Sequence, residues 1–320
     1  MRALVQEGSG SADVLHLREV EPPVVTEASV LIRVRAASVN AADWHLIHGG
    51  AAVRAATFLM RSHAAQIRGS DLAGVVEAVG AGVTDLKPGD EVFGTARGAF
   101  AELAATTSER LVLKPAGASF EQAAAIPVAG CTALQGLRDA GRLKSGERVL
   151  VYGAGGGVGT FAVQVAAALG ATVTAVTHTR SVELVRSLFQ GEVIDYTKED
   201  ALARDARYDV VCDVAGTRPL GDLLRVLAPG GRLVVAGAAK GGTLDMVGRI
   251  GGVMIRGRLG APVRLVMAKI THQDLQALGA MVDAGKLRPA IDRTFRFEDA
   301  VEAVRYVGTG QARAKVVITL

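Results

Sequence analysis

The sequence predicts an α/β protein with a parallel, doubly wound sheet in its middle and a compact β domain built around it. Three observations carry this expectation. From Gly146 onward, apolar strands alternate with helical patterns about ten residues long. Between the first such strand and helix lies "GAGGGVG", Gly153 to Gly159. Residues 1 to about 118 read differently, as short strands with turn signals at close intervals.

In the first region "VLIRVRAASV" alternates, "LAGVVEAVG" is a buried run, and "KPGDEVFG" is a turn leading into a strand. At Ser119 the texture changes. "SFEQ" is a capping box opening "FEQAAAI", and Pro127 breaks that helix before "VAGCTALQGLRDA". "RVLVYG" is then a strand, and "VGTFAVQVAAAL" a helix ended by Gly170. "ATVTAV" is a strand, "SVELVRSLF" a helix stopped near Gly191, "VID" a short strand and "YDVVCDVAG" a buried one. "PLGDLLRVLA" is a helix ended by "PGG", and "RLVVAGA" is a strand. Residues 240 to 270 are rich in glycine and arginine and carry no clear period. "THQDLQALGAMVDAG" is a helix and "RAKVVITL" a closing strand.

Composition narrows the function. The 320 residues suffice for two domains, each with its own core. Hydrophobic residues make up 49% and charged residues 21%, which is globular. The formal net charge is +4, yet Arg and Lys never form a run of five or six. That implies a mild preference for anionic ligands and no nucleic-acid partner. Cys131 and Cys212 lie far apart in apolar segments, so they build neither a disulfide framework nor a Cys-x-x-Cys metal site. "MRALVQEGSG" lacks an apolar leader, and no apolar run reaches the length of about eighteen residues that a membrane span needs. A soluble, cytoplasmic protein with no membrane partner is expected.

The glycines point to a dinucleotide. The strict GxGxxG spacing fails, because its last position falls on Val158. GxxGxxG fits, on Gly153, Gly156 and Gly159. The first glycine makes the turn, the second lets backbone approach a pyrophosphate, and the third lets helix pack on strand. Gly153, Gly155, Gly156, Gly157, Val158 and Gly159 are the expected cradle, with phosphates at the helix N-terminus. An acid about twenty residues further on would bind the ribose hydroxyls of NADH. Here that strand end reads Thr177, His178, Thr179, Arg180, with no acid. Hydroxyls and a guanidinium suit a 2′-phosphate, so NADPH is the expected cofactor.

Taken together, "VNAADWHL", "GSDLAGVVEAVG", "KPGDEVFG", "AAAIPVAGCTALQGL", "GAGGGVGTFAVQVA", "VIDYTKED" and "ARAKVVITL" resemble the medium-chain dehydrogenases/reductases, in the zinc-independent quinone oxidoreductase branch similar to zeta-crystallin. The resemblance covers nearly the whole chain. It implies a GroES-like catalytic domain over residues 1–118, a Rossmann NADPH-binding domain over 119–282, and a return to the catalytic domain over 283–320. It also implies a cleft between the domains, and a homodimer. The positions of the family's zinc ligands match Asn40, Ser70-Asp71 and Val128, and the four-Cys zinc lobe is missing, so no metal is expected.

Without a metal, the implied chemistry is hydride delivery to an acceptor already activated by conjugation, a quinone or an enone. The resemblance sets Asn40 beside the nicotinamide ribose and the reacting centre. His45 stands where relatives often carry Tyr, as a proton or hydrogen-bond donor or else a solvent-facing residue. Asp43 is expected to order the loop and Trp44 to form its wall. Thr132 is expected to face the nicotinamide or to bond its own helix. Tyr196 is expected along the adenosine phosphate or at the surface. Val214, Ala215, Gly237 and Ala238 end parallel strands, where such sheets bind ligands. Lys315, or Arg313 beside it, is expected to reach the cofactor or to be solvated. "GGAAVRAATFLMRSHAAQI", with Phe58, Leu59 and Met60, is expected at the substrate mouth or in core. Two further readings stand beside the first. One is a polyketide-type enoyl-thioester reductase, for which Arg249, Arg256 and Arg258 would line a phosphopantetheine channel; the other is a non-catalytic NADPH-binding sensor or crystallin-like protein.

Overall fold

The computed structural model describes residues 1–8, 10–48, 66–236 and 243–320, with the side chains of all but Gln66 and residues 243–247. The chain divides into two compact units. One is Met1–Val128 with Ile270–Gly285 and Pro289–Leu320; the other is Ala129–Lys269 with Lys286–Arg288. The expected division gave 119–282 wholly to the second. Two helices explain the difference. Phe120–Ala124, opened by the Ser119–Gln122 capping box, packs on strands Ser29–Val39 and Asp71–Val79. His272–Asp283 packs on strand Leu111–Leu113, with Gly279 against Pro115 and Phe93. The sequence marks both as helices, but which sheet covers their apolar faces is a long-range fact.

The first unit is built on a seven-stranded sheet. Its order runs Ile291–Arg296, Lys315–Thr319, Ser29–Val39, Asp71–Val79, Glu91–Thr95, Leu111–Leu113, and Leu103–Thr107 also pairs with Ser29–Val39. A smaller sheet holds Leu15–Glu19, Arg2–Gln6 and Gln66–Ile67. Along Ser29–Val39, Val30, Ile32 and Val34 are buried while Arg33 and Arg35 are exposed, the period-2 pattern of a strand with one covered face. The core behind that face includes Leu4, Ile32, Leu72, Phe100, Leu111 and Phe297. Ser38 lies opposite Asp71 on one side and Val317 on the other, and Val39 lies opposite Val316. This register brings the end of Ser29–Val39 and the beginnings of Asp71–Val79 and Lys315–Thr319 to one place.

The second unit carries a six-stranded sheet, parallel throughout. Its order is Glu192–Asp195, Thr172–Thr177, Arg148–Tyr152, Tyr208–Asp213, Leu227–Val235, Val263–Leu265. The first strand in sequence therefore lies centrally and the chain winds outward both ways, placing a switch point beside it. Helix Gly157–Ala168 is buried from Gly159 through Ala166 and ends before Gly170, which sits at φ 81°. Some local readings shift. The helix expected at Ser181–Phe189 is the short Val182–Arg186. Helix Leu220–Arg225 stops before "PGG", and the next strand already starts at Leu227 and runs through it. Pairing jumps from Tyr208–Leu227 to Val210–Arg232, so those residues form a bulge. The unassigned stretch folds as helix Thr243–Arg258 and strand Val263–Leu265. Among the described residues no helix is long and apolar enough to cross a membrane.

Candidate functional site

In the second unit the glycine loop follows strand Arg148–Tyr152. Gly153 takes φ 97°, and its own N–H and that of Ala154 both donate to Val176 O at 3.0 Å. A side chain at Gly153 would meet Ala215, and one at Gly155 would meet the Thr177 hydroxyl and Ser181. At Gly159 a Cβ would lie 2.2 Å from Gly153 O. These three are bare because protein packs on them. Gly156 differs: a Cβ there would find only Gly153 O, at 3.6 Å, so its bare side faces open space. It caps helix Gly157–Ala168 without a side-chain hydrogen bond, and the first intrahelical N–H bond is Thr160 to Gly156 O. The N–H groups of Gly157, Val158 and Gly159 thus precede the helical ladder, the arrangement that receives an anion.

The next strand end brings the adenosine-side candidates together. Thr177 is buried, and its carbonyl accepts from Tyr196 N at 3.0 Å. His178 Nδ1 accepts from Arg180 N at 3.2 Å, and its ring meets Tyr196 edge-on at 5.6 Å. Arg180 and Thr179 are exposed. One residue that sequence reasoning missed also stands here. Asp195, paired with Thr177 across the parallel register, accepts from Thr179 Oγ1 at 2.7 Å and from Thr197 Oγ1 at 2.8 Å. Burial works against its charge, yet the two hydroxyls hold its carboxyl below the ordinary range. Thr179 is therefore already engaged by an acid. The signal was "VID", read only as a strand.

Val214 and Ala215 end the neighbouring strand, their N–H groups on Tyr152 O at 3.0 and 3.2 Å. Behind them Asp213, fully buried, accepts from Gly216 N at 3.0 Å and from Arg249. Arg249 also donates to Arg218 O. Thr132 is buried on helix Pro127–Gln135. Gly237 and Ala238 lie outside the described residues, as do Phe58, Leu59 and Met60.

In the first unit Asn40 stands between strand Ser29–Val39 and helix Ala41–His48. Its N–H donates to Asp43 Oδ2 at 2.8 Å, so Asp43 orders the loop. Its side-chain Nδ2 donates to Asp71 Oδ2 at 2.9 Å, and its Oδ1 accepts from Lys315 Nζ at 2.6 Å. Asp71 also accepts from Ser38 Oγ at 3.1 Å, from Val128 N at 3.3 Å and, most distantly, from Lys315 at 3.5 Å. Lys315 is 2% exposed, so the expectation that it reaches a cofactor gives way to a contact with Asn40. Arg313 is turned to Asp292. Burial pushes the Asp71 carboxyl up and the Lys315 ammonium down, while the charge of Lys315 and the donors Asn40, Ser38 and Val128 favour the carboxylate. Burial, helped by the charge of Asp71, pushes Asp43 up to about 7. His45 is half-buried, and burial with neighbouring His48 lowers its pKa. Trp44 stacks on His48 at 4.5 Å and fills the space that a side chain at Gly308 would need.

Comparison with known proteins places the chain. Residues 26–135 match the model of the alcohol dehydrogenase GroES-like domain, and residues 190–318 match that of the zinc-binding dehydrogenases. The chain is 34% identical, over 99% of its length and 79% of the relative's, to a 2-methylene-furan-3-one reductase of Solanum lycopersicum. It is 33% identical, with the same coverage, to the NADPH-dependent alkenal/one oxidoreductase, chloroplastic, of Arabidopsis thaliana. The solved quinone oxidoreductase of Coxiella burnetii is similar with a TM-score of 0.86 at 30% identity, covering 100% of this chain and 99% of that one. The chain belongs to the medium-chain dehydrogenases/reductases of quinone oxidoreductase type.

Since one matching model of this dehydrogenase/reductase family is named for zinc, the residues must be tested against that ion. Zinc needs three or four converging N, S or O lone pairs. At Asn40, Asp71 and Val128 there is an amide oxygen turned to an ammonium, a carboxylate filled with donors, and a backbone N–H. An ammonium and an N–H point where ligand lone pairs would have to be, and these residues do not fit the metal. Among the described residues no group of three His, Cys, Asp or Glu could hold one.

Two outcomes follow from this geometry. Gly156→Ala is expected to fold with the wild-type Tm while weakening dinucleotide binding about tenfold, the equivalent of one charged hydrogen bond. Gly159→Ala is expected to lose stability, because its Cβ meets backbone. Calorimetry and titration separate the two, and a Gly156→Ala protein that binds normally would remove the phosphate role. The second outcome concerns pH. Asp43 holds its proton more tightly folded than unfolded, so its contribution is fully present below 3.8 and is lost as pH rises to about 7. Asp43→Asn keeps an acceptor for Asn40 N and should flatten denaturation midpoints measured between pH 5 and pH 8. Parallel profiles for the two proteins would contradict the burial argument.

Proposed function

We propose that this chain is an NADPH-dependent, zinc-independent reductase that delivers a hydride to a quinone or an α,β-unsaturated carbonyl. The observation that carries the proposal is Gly156, bare toward open space at the head of a helix whose first N–H groups precede the ladder. The relative named as an NADPH-dependent alkenal/one oxidoreductase supports both the cofactor and the acceptor class. Bound NADPH would supply the hydride. Gly156, Gly157, Val158 and Gly159 hold its pyrophosphate, Gly153 and Gly155 shape the loop, and Arg180 with His178 and Tyr196 meets the adenosine phosphate.

Reduction of a conjugated acceptor gathers charge on oxygen, which needs hydrogen-bond donors and no cation. Asn40 retains one N–H on Nδ2 beyond its bond to Asp71 and is proposed to donate it. His45, its pKa lowered by burial, carries one N–H when neutral and is proposed to support the same oxygen. The buried free thiols Cys131 and Cys212 suit a reducing compartment such as the cytoplasm. A homodimer is proposed through the edge strand Val263–Leu265, beside which Met254, Ile255, Leu259 and Met267 are exposed.

The test is kcat/KM for NADPH and NADH against a panel of quinones, enones and enoyl-thioesters. Arg180 is expected to favour NADPH by about ten- to a hundredfold, and Arg180→Ala to remove most of that while leaving NADH nearly unchanged. Preference for NADH in the wild type would sink the cofactor assignment, and inactivity on every quinone and enone would sink the reaction. Elemental analysis of the purified protein is expected to find no stoichiometric zinc, and chelators to leave turnover intact. Tightly held zinc required for turnover would end the metal-free reading.

A further inference from the structure

We infer that Lys315 is a positioning residue whose ammonium, opposed by the carboxylate of Asp71, fixes which way round the Asn40 amide stands. The inference rests on the proposed role of Asn40 at the reacting centre. An asparagine amide is nearly symmetric in shape, so packing alone does not choose between its two orientations. Charge does. Asn40 Oδ1 receives Lys315 Nζ at 2.6 Å while Nδ2 donates to Asp71 Oδ2 at 2.9 Å. Turned over, the amide would set its NH2 against an ammonium and its oxygen against a carboxylate. Asp71 is 0% exposed, Lys315 2% and Asn40 8%, so little water screens either repulsion.

Both poles are themselves fixed. Ser38 Oγ and Val128 N hold the carboxylate. Lys315 N donates to Ala290 O at 3.1 Å, and the residue before it, Ala314, sits at φ 57°. That left-handed conformation is unfavourable for a residue with a Cβ, so the surroundings impose it. What the clamp leaves unused on Asn40 is one N–H of Nδ2 and one lone pair of Oδ1, each in a set direction.

Lys315→Met alone strands a buried carboxylate, so the informative variant is Asp71→Asn/Lys315→Met, which removes both charges. It is expected to melt within about 5 °C of wild type and to bind NADPH within about twofold, while kcat falls about 10- to 100-fold through misorientation. Lys315→Arg keeps a cation and is expected to retain more kcat than Lys315→Met. In protein labelled with 15N-asparagine, the Asn40 side-chain amide is expected to be protected from exchange in the wild type and to exchange freely in the double variant. Recovery of kcat together with Tm, or an Asn40 amide still protected without the charges, would overturn the inference. So would a double variant that does not fold, because the cluster would then be a folding element. The amide signal requires no turnover, so loss of protection in a protein idle on every acceptor would uphold the clamp and reject only the proposed reaction.

Discussion

The Asp71 carboxylate is the point on which the first unit is organised. Three segments distant in sequence send it donors: Ser38 with Asn40 from a strand and the turn after it, Val128 from the start of a helix, and Lys315 from the closing strand. A buried carboxylate with fewer partners would be costly, since desolvation removes several kcal/mol that only hydrogen bonds and a counter-charge restore. The register is therefore tightly specified. Sliding Lys315–Thr319 by one residue against Ser29–Val39 would turn Lys315 to the other face and leave Asp71 without its cation. The register that pairs these strands is also what assembles the cluster.

The second unit obeys a different constraint, close approach. Gly153, Gly155 and Gly159 are bare because Ala215, Thr177 with Ser181, and Gly153 O stand where side chains would be. They draw the helix onto the strand, so its N-terminal N–H groups reach the end of the sheet. Gly156 is bare without protein against it, so three glycines of the run fold the loop while this one keeps it open.

Much of this was legible in the sequence where the cause is local. The alternation of apolar strands and helices, the Ser119–Gln122 capping box and the GxxGxxG spacing each depend on neighbours within one or two turns, and the structure has them. Elsewhere the cause is distant. Asp195 meets Thr179 only because two strands pair in parallel, sixteen residues apart in sequence. Lys315 meets Asn40 across 275 residues, so a lysine near the chain's end read as a solvent or cofactor contact. "PGG" reads as a helix stop by composition, yet a bulge absorbs it into a strand. In Asn40 the residue type was visible but its clamp was not.

The same cluster explains the unusual state of Asp43. Arg68 acts on Asp43, and so does Lys315, which makes its short contact to Asn40, with Asp71 sharing its charge. Asp71 has, besides that cation, three hydrogen-bond donors; the one contact seen for the Asp43 carboxyl is the N–H of Asn40. Two ionised carboxyls beside one ammonium would leave a net negative charge in a space with little water. Burial pushes both carboxyls up, and for Asp43 burial with the field of Asp71 reaches about 7. Asp43 can carry a proton at neutral pH because burial outweighs the Asn40 N–H and the charges of Lys315 and Arg68. A site whose cation is a side chain in this way has no spare negative charge to offer a metal.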